Sequence, residues 1–382
     1  MSKNIRAVIK DKKATMLCVG PMSHLCIEVT ANLSKKHDVP IQLIASRRQI
    51  DSAEFGGGYV GKMTTEEFVK RVRSYNAPKL LIARDHGGPW QSVLESDKNM
   101  DVAQSMESAM RSFETDIETG FDFIHIDPSI PVGGENLTTE TIIERLLELY
   151  ERCADIARQK GALDKIAFEL GTEEQTGYGS DLSQMEEFIV RAKEFCAKKS
   201  IPQPTFIVAQ TGTKVMETQN IGVFGNAGSD LTPDFLSHLR KTVALCEKHD
   251  MLLKEHNADY LEDAALALRP VLGIHASNVA PEFGVTETRA LIYALAVSGM
   301  KTELDKFLEI SLSSGKWKKW MLPGTQKTDI DRAVISGHYV FSHPEVLDLR
   351  AKLEKDAPWV RDYTKVQVEQ SILRYMHLFR LV

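Results

Sequence analysis

Residues 80–90 read LLIARDHGGPW, so an apolar run passes straight into Asp85 and His86 and then into two glycines. The run predicts a buried β-strand, and its polar end predicts functional side chains at the edge of a sheet. An imidazole nitrogen can bind a divalent metal, while a neighbouring carboxylate can carry a proton. A lone Asp-His pair is also typical of a strand end where the Asp caps a helix and the His packs. Its interpretation therefore depends on how the other strands end.

Short apolar runs alternate with amphipathic helical stretches along most of the chain. Convincing helices are predicted at residues 138–160, 182–199 and 233–249. Strands that alternate with helices predict right-handed β-α-β crossovers and a parallel sheet. The eight predicted strands are residues 16–20, 41–46, 80–85, 123–127, 165–171, 205–210, 252–256 and 272–277. Eight such units predict an α/β fold of the (β/α)8 TIM-barrel type.

A doubly wound open sheet with a Rossmann-type crevice is the structural alternative. No GxGxxG motif follows any strand, and polar residues end nearly every strand rather than only those at a switch point. The glycine run at residues 56–58 lacks the Lys-Ser/Thr of a P-loop. We interpret it as a flexible loop that can approach a ligand closely.

The pattern changes after residue 300. Residues 306–322 are basic and contain tryptophan, and residues 346–355 and 366–381 read as helices. We therefore predict a barrel at residues 1–300 and a helical C-terminal cap or oligomer contact at residues 301–382.

Composition excludes several classes of protein for this 382-residue chain. A net charge of −6 argues against nonspecific nucleic-acid binding, which needs a basic surface. No apolar run approaches the ~20 residues of a membrane span, and the charged start does not resemble a signal peptide. The five cysteines are odd in number and contain no CxxC motif, so we predict reduced thiols in a cytoplasmic protein, mostly in the core or in helices.

Polar side chains follow nearly every predicted strand. In a (β/α)8 barrel the carboxyl ends of the strands meet at one mouth, where active sites lie. The candidates, in chain order, are Arg47, Gln49, Asp85, His86, His125, Asp127, Glu169, Glu173, Gln210, Lys254, His256, His275, Ser277 and Asn278. Histidines and carboxylates from different strands suit a divalent ion with nitrogen and oxygen ligands.

Two of the histidines, His86 and His256, are the predicted metal ligands, together with Glu169 or Gln210. This set leaves a coordination position for substrate oxygens. Alternation along residues 123–127 places His125 and Asp127 on one face of their strand. His125 could therefore be a hydrogen-bond partner of Asp127 rather than a metal ligand.

Six segments in order carry a family resemblance. They are FGGGYVGKMT (55–64), DHGGPW (85–90), IHID (124–127), ELGTE (169–173), EHNADY (255–260), and Ala280-Pro281 leading into a helix with Arg289. The chain resembles the class II tagatose-bisphosphate aldolase accessory-subunit family, whose relatives include tagatose-type sugar-phosphate 4-epimerases. The resemblance implies a fold similar to the zinc-dependent barrels of class II aldolases. It also implies that Asp85 is the acid/base carboxylate and that His86 and His256 bind the metal.

Two positions depart from the family pattern. Gln210 stands where class II aldolases place a further metal histidine, which allows manganese or another divalent ion as well as zinc. Residues 336–339 read SGHY where relatives tend to be richer in arginine. A phosphate needs Arg, Lys or a backbone nest, so the substrate could be singly phosphorylated, or a plain or acidic ketose.

The predicted chemistry is cleavage of a ketose between C3 and C4. A metal would polarise the C2 carbonyl, and a carboxylate would deprotonate the C4 hydroxyl, leaving a metal-bound enediolate and an aldehyde. Separation of the fragments makes an aldolase, and recombination on the other face of the aldehyde makes a 4-epimerase. We favour the epimerase because an extended C-terminal cap could hold both fragments.

Each candidate side chain has a predicted role in this chemistry. Asp85 is the acid/base, with Glu173 or Asp127 assisting. The predicted contacts to substrate oxygens are Arg47, Gln49, Lys254, Ser277 and Asn278. The rival interpretation is a non-catalytic subunit that stabilises a separate aldolase chain, so the expected partners are a sugar or sugar phosphate, and either an aldolase catalytic subunit or a second copy of the chain.

Overall fold

Eight parallel strands close into a barrel in the computed structural model, which describes residues 2–171, 179–225 and 230–382. The barrel strands are β1 Met16–Val19, β2 Ile41–Ser46, β3 Leu80–Gly87, β4 Phe123–Ile126, β5 Ala167–Gly171, β6 Phe206–Val208, β9 Leu252–Glu255 and β10 Ala276–Val279. A short antiparallel hairpin, β7 Val215–Met216 and β8 Gln219–Asn220, lies outside the barrel. Each strand pairs with its neighbours in chain order, and β10 closes the ring against β1. The predicted (β/α)8 barrel is confirmed.

Fourteen helices are present in the described ranges. They are α1 Ser2–Lys12, α2 His24–His37, α3 Thr65–Ser74, α4 Val93–Asp97, α5 Val102–Thr119, α6 Thr139–Gln159, α7 Leu182–Lys199, α8 Pro233–Lys248, α9 Asp263–Leu272, α10 Pro281–Val297, α11 Lys301–Ser313, α12 Asp329–Ser336, α13 Pro344–Asp356 and α14 Trp359–Leu378. Side chains cap the first turns of the helices that the sequence predicts at residues 138–160 and 182–199. Thr138 accepts the Thr141 N–H before α6, and Asp181 accepts two N–H groups before α7.

The last barrel strand begins four residues later than the sequence pattern predicts. Leu272 ends α9, and Gly273 follows with a φ of 81°, the left-handed conformation that commonly ends a helix. His275 therefore precedes the strand, where its carbonyl accepts the Met16 N–H. The prediction that His275 lies at the carboxyl end of its strand was wrong.

Helix α1 closes the barrel interior at the amino-terminal ends of the strands. The sequence pattern did not predict this helix. Ile5 and Ile9, four residues apart on one helix face, are buried in the same apolar cluster as Met16 and Phe123 of the barrel strands. The charged residues between them hid this short apolar stripe.

The region after residue 300 is helical, as expected, and has two packing relationships. Leu295, Phe307 and Leu353 belong to a separate apolar cluster shared by α10, α11 and α13. The final helix instead returns to the barrel, because Ile372 and Met376 of α14 are buried within the main core cluster. The C-terminal region is therefore fixed to the barrel by its own last helix.

All five cysteines lie in the described part of the chain, are buried and form no disulfide. They occupy β1 and four helices, which confirms the prediction of reduced core or helix thiols. Among the described residues, none of the helices combines the length and apolar character that a membrane span requires.

Truncation of Ile372 tests the attachment of the C-terminal region. Ile372→Ala should lower the free energy of unfolding by about 2–5 kcal/mol, because a buried side chain is lost from the contact between α14 and the barrel. Val366→Ala on the same helix is the control, since Val366 is 47% exposed. Urea unfolding followed by circular dichroism measures both. Equal effects of the two changes would contradict the packing of α14 described above.

Candidate active site

A cavity of about 940 Å³ opens at the carboxyl ends of the barrel strands. Asp85, His256 and Asn278 line it from β3, the end of β9 and β10. The C-terminal region supplies a further part of the wall through the short 3₁₀ turn Lys318–Trp320 and through Tyr339. Its volume is near the upper end of the roughly 300–1,000 Å³ range of small-molecule sites.

Strand β3 is irregular at the point where it enters this cavity. Its pairing with β4 shifts register between Arg84 and Gly87, and His86 has a left-handed φ of 47°. A bulge of this kind redirects a side chain relative to a regular strand. Arg84 anchors the strand immediately before the bulge, because its guanidinium donates to both carboxylate oxygens of buried Asp116, at 2.7 and 2.6 Å.

The glycines after His86 allow β3 to approach β4 closely. The carbonyl of Gly87 accepts the Asp127 N–H at 2.7 Å. A Cβ atom at Gly88 would lie only 2.1 Å from the carbonyl oxygen of Asp127. The sequence DHGG therefore brings His86 next to the end of β4.

Asp127 orients His86. The Nδ1 atom of His86 lies 2.7 Å from Asp127 Oδ2, and this carboxylate also accepts hydrogen bonds from Gln91 and Ser129. A proton on Nδ1 leaves the lone pair on Nε2, which is the usual arrangement of a metal-binding histidine held by a carboxylate. The sequence suggested His125 as the partner of Asp127, and the bulge in β3 gives that position to His86 instead.

Asp85, His86 and His256 form the central cluster of the cavity. The Nε2 atoms of His86 and His256 each lie 3.8 Å from an oxygen of Asp85, too far for direct hydrogen bonds. Ligand atoms of the three residues all lie within 4.8 Å of one another. Two atoms bound to one zinc ion at about 2.0–2.2 Å are at most roughly 4.4 Å apart, so the three residues could hold one ion after small movements of their side chains.

His125 packs against the same cluster from β4. Its ring centroid lies 5.5 Å from that of His86 and 5.4 Å from that of His256. Its Nδ1 accepts the backbone N–H of His86 at 3.3 Å and lies 3.7 Å from Asp85 Oδ1. His125 therefore supports the bulge as well as contributing a third imidazole.

The environment sets the charge of these groups. Burial raises the pKa of Asp85, but the neighbouring His86 and a hydrogen-bonding interaction with His125 outweigh it and lower that pKa overall. Burial lowers the pKa of His256 well below its usual value, against the opposing effect of Asp85. An ionised carboxylate beside a neutral imidazole is the protonation state that metal binding requires.

Gln210 and Asn278 lie near the carboxyl ends of β6 and β10, and Asn278 lines the cavity whereas Gln210 does not. Asn278 donates to Asp85 Oδ1 at 3.1 Å, which fixes the orientation of the carboxylate. The Oδ1 atom of Asn278 and the Oε1 atom of Gln210 are buried and accept no hydrogen bond from the described residues. A buried oxygen in this state costs free energy unless a ligand or water satisfies it.

Glu169 and Lys254, predicted as a metal ligand and a substrate contact, bind each other inside the barrel. Lys254 Nζ lies 2.7 Å from Glu169 Oε2, and both side chains are fully buried. Gln42 completes the group, because it accepts from Lys254 and donates to Glu169, each at 2.8 Å. Glu169 is not part of the Asp85 cluster, and neither residue lines the cavity.

Arg47 and Ser277 were predicted to contact substrate, but both side chains bind carboxylates of the protein, although Arg47 also lines the cavity. The buried guanidinium of Arg47 binds Asp51 and Glu95 at 3.0 and 2.5 Å. Ser277 donates to Glu255 at 2.5 Å and does not line the cavity, because alternation along β10 sends it to the face opposite Asn278.

Gln49 borders the cavity and accepts the Ser46 N–H at 2.9 Å. Glu173, predicted to assist catalysis, lies outside the described residues.

Sequence reasoning missed several residues that line the cavity. Asp259 accepts the N–H groups of Ala280 and Glu282 at 2.9 Å, and burial together with the charge of Glu282 raises its pKa to about 7. The sequence shows a basic, tryptophan-bearing stretch near residue 320, but it does not indicate that this stretch lies at the barrel mouth. No periodic pattern indicates where a loop of a C-terminal extension will lie.

The fold and cavity define a (β/α)8 barrel with a carboxylate and histidines converging at its mouth. A family model described as D-tagatose-1,6-bisphosphate aldolase subunit GatZ/KbaZ-like matches residues 1–304. The chain therefore belongs to the GatZ/KbaZ-like family. The D-tagatose-1,6-bisphosphate aldolase subunit GatZ of Escherichia coli is 23% identical over 255 residues, a match that covers 63% of this chain and 58% of GatZ.

Solved structures share the fold at low sequence identity. A probable tagatose 6 phosphate kinase from Sinorhizobium meliloti has a TM-score of 0.77 and 17% identity, over 95% of this chain and 100% of that one. The fructuronate-tagaturonate epimerase UxaE from Cohnella laeviribosi has a TM-score of 0.61 and 10% identity, over 99% and 86%. The fructose-bisphosphate aldolase from Campylobacter jejuni has a TM-score of 0.52 and 13% identity, over 99% and 93%.

Proposed function

We propose that this chain is a metal-dependent ketose or ketose-phosphate 4-epimerase that works by retro-aldol and aldol steps at C3–C4. The observation that carries the proposal is the cluster of Asp85, His86 and His256 at the barrel mouth. Membership of the GatZ/KbaZ-like family supports tagatose- or fructose-type substrates. The shared fold of UxaE, an epimerase by its description, is compatible with the same reaction class.

His86 and His256 would hold the metal. Asp127 already fixes the tautomer of His86, and burial keeps His256 neutral. Gln210 is the proposed third ligand, because its Oε1 atom is buried and lacks a hydrogen-bond partner among the described residues. Two imidazoles and a neutral oxygen suit zinc or manganese. When bound, the ion would supply Lewis-acid polarisation of the ketose C2 carbonyl.

Asp85 is the proposed acid/base. Its ionised carboxylate would take the proton of the C4 hydroxyl while the C3–C4 bond breaks. The electron pair of that bond moves toward C2, which leaves an enediolate fragment and an aldehyde at C4. Asn278 holds the Asp85 carboxylate in place during this transfer. Asp85 would return the proton after C3 attacks the opposite face of the aldehyde, which inverts C4.

Enclosure of the cavity favours epimerisation over cleavage. The aldehyde must turn over without escaping, and the turn Lys318–Trp320 together with Tyr339 forms part of the wall around it. Trp320 Nε1 donates to the Tyr339 hydroxyl at 3.2 Å, so this wall is internally braced.

A tagatose-bisphosphate aldolase, or its stabilising subunit, is the second candidate. The family description and the similarity to GatZ favour it. An aldolase would use Asp85 and the histidines in the same roles and release the aldehyde. A stabilising subunit would need a separate aldolase chain as its partner.

Turnover by the purified chain tests the proposed function. NMR would follow D-fructose, D-tagatose, their 6-phosphates and the ketohexuronates D-fructuronate and D-tagaturonate, with EDTA and after addition of manganese or zinc. We expect a single C4 epimer to form with metal and not with EDTA. Asp85→Asn should lower the turnover rate at least about a hundredfold, because it removes the proton acceptor. The variant should still bind the metal.

Asp97→Asn, an exposed carboxylate on α4, is the control and should keep full activity. Release of a triose would favour the aldolase. Absence of any change in all six sugars with added metal would contradict catalysis by this chain. A fully active Asp85→Asn variant would contradict the role of Asp85.

Metal affinity tests the hydrogen bond to His86. Asp127→Asn should weaken metal binding about 10- to 100-fold, because the neutral amide no longer fixes His86 as a ligand. Asp122→Asn is the matched control at the other end of β4, where its carboxylate binds Arg73. Competition with a fluorescent chelator measures the affinity. Equal affinities of wild type and Asp127→Asn would contradict this arrangement.

A further inference from the structure

Five basic side chains surround the cavity without a matching set of acids. They are Arg48, Lys214, Lys316, Lys318 and Lys319. Within the described ranges, none of the five has a carboxylate oxygen within 4.0 Å of its charged group. Arg47 provides the contrast, because Asp51 and Glu95 neutralise it at 3.0 and 2.5 Å. The rim of the cavity therefore carries positive charge that the described residues do not balance.

The lysine-bearing turn of the C-terminal region is held firmly in place. The carbonyl of Trp320 accepts the Glu217 N–H at 2.7 Å, and the Glu217 carboxylate accepts the Leu322 N–H at 3.3 Å. Trp317 Nε1 donates to the carbonyl of Leu312 at 2.9 Å. These bonds tie the turn both to the hairpin that follows β6 and to α11, so its lysines are presented from a braced position.

Lys319 lies close to other cations of this rim. Partial loss of solvent around its ammonium group, together with the positive charges of Arg48 and Lys316, lowers its pKa to about 8, although the residue as a whole is exposed. The ammonium nitrogen lies 4.5 Å from the centre of the Trp320 ring, a cation–π distance. Like charges gathered in this way cost free energy until an anion joins them.

An anion in this part of the cavity would share it with the Asp85 cluster. Asp85, His86 and His256 line the same cavity as Lys316 and Lys319. A volume of about 940 Å³ holds a hexose together with a charged substituent. A substrate could therefore place its reacting carbons at the cluster and its charged end at the rim.

We propose that Arg48, Lys316 and Lys319 form a subsite for the anionic group of the substrate, a phosphate ester or a carboxylate. The proposal rests on the proposed function for the location of the reacting carbons. Lys316 and Lys319 lie beyond the family match, which ends at residue 304, whereas Arg48 lies within it, so the subsite combines a barrel residue with two residues of the C-terminal region. Lysine and arginine side chains form charge-assisted hydrogen bonds with both kinds of anion.

Direct binding measurements separate this subsite from catalysis. Isothermal titration of the full chain would use D-fructose 6-phosphate, D-fructuronate and neutral D-fructose as probes. We expect at least one anionic sugar to bind more tightly than D-fructose. The double variant Lys316→Gln/Lys319→Gln should weaken the binding of that anionic sugar about tenfold or more, because two charge-assisted hydrogen bonds are lost. The affinity for D-fructose should not change.

Lys355→Gln is the matched control, since Lys355 is an exposed cap lysine on α13 outside the cavity. Tighter binding of D-fructose 6-phosphate would identify the anionic group as a phosphate, and tighter binding of D-fructuronate would identify it as a carboxylate. Either result supports the subsite. Equal or undetectable binding of all three probes would overturn it, as would wild-type anion affinity in the double variant. A protein that binds the anion but turns over no sugar would refute the proposed function alone.

Discussion

The hydrogen bond between His86 Nδ1 and Asp127 is the interaction on which the geometry of the site depends. It joins the bulged end of β3 to the end of β4 and fixes which nitrogen of His86 faces Asp85. The bulge is possible because Gly88 lets the chain approach the Asp127 carbonyl, where any Cβ would clash. The side chains of Asp85 and His86 therefore have different partners. The Asp85 carboxylate binds Asn278, and the His86 imidazole binds Asp127.

The barrel fold and the position of the central cluster could be predicted from the sequence. Strand alternation predicts the (β/α)8 fold, and a polar residue at the end of a strand is placed at the mouth by topology alone. Asp85, His86 and His256 meet there as expected. Register is harder to predict, because a shift of one residue sends a side chain to the other face. Ser277 illustrates this, since it lies on β10 but faces Glu255 rather than the cavity.

Pairing between buried charges was the other limit of prediction. Nothing local in the sequence indicates that Glu95 binds Arg47, or that Lys254 binds Glu169 across the barrel. These partners are 48 and 85 residues apart along the chain, whereas Asp51, the other partner of Arg47, is four residues away. The same difficulty concealed the lysines near residue 319, which reach the mouth only because the hairpin after β6 and the helical extension hold their turn. The cavity thus combines a floor made by the barrel strands with a rim to which the C-terminal region contributes.

The most direct test of a metal site at the barrel mouth is anomalous X-ray diffraction from crystals of the full chain grown with manganese. The expected result is one anomalous peak in contact with His86 and His256 and adjacent to Asp85, with Asp127 still bonded to His86. A map in which these side chains are well ordered, but no anomalous peak lies between them, would contradict a metal centre here.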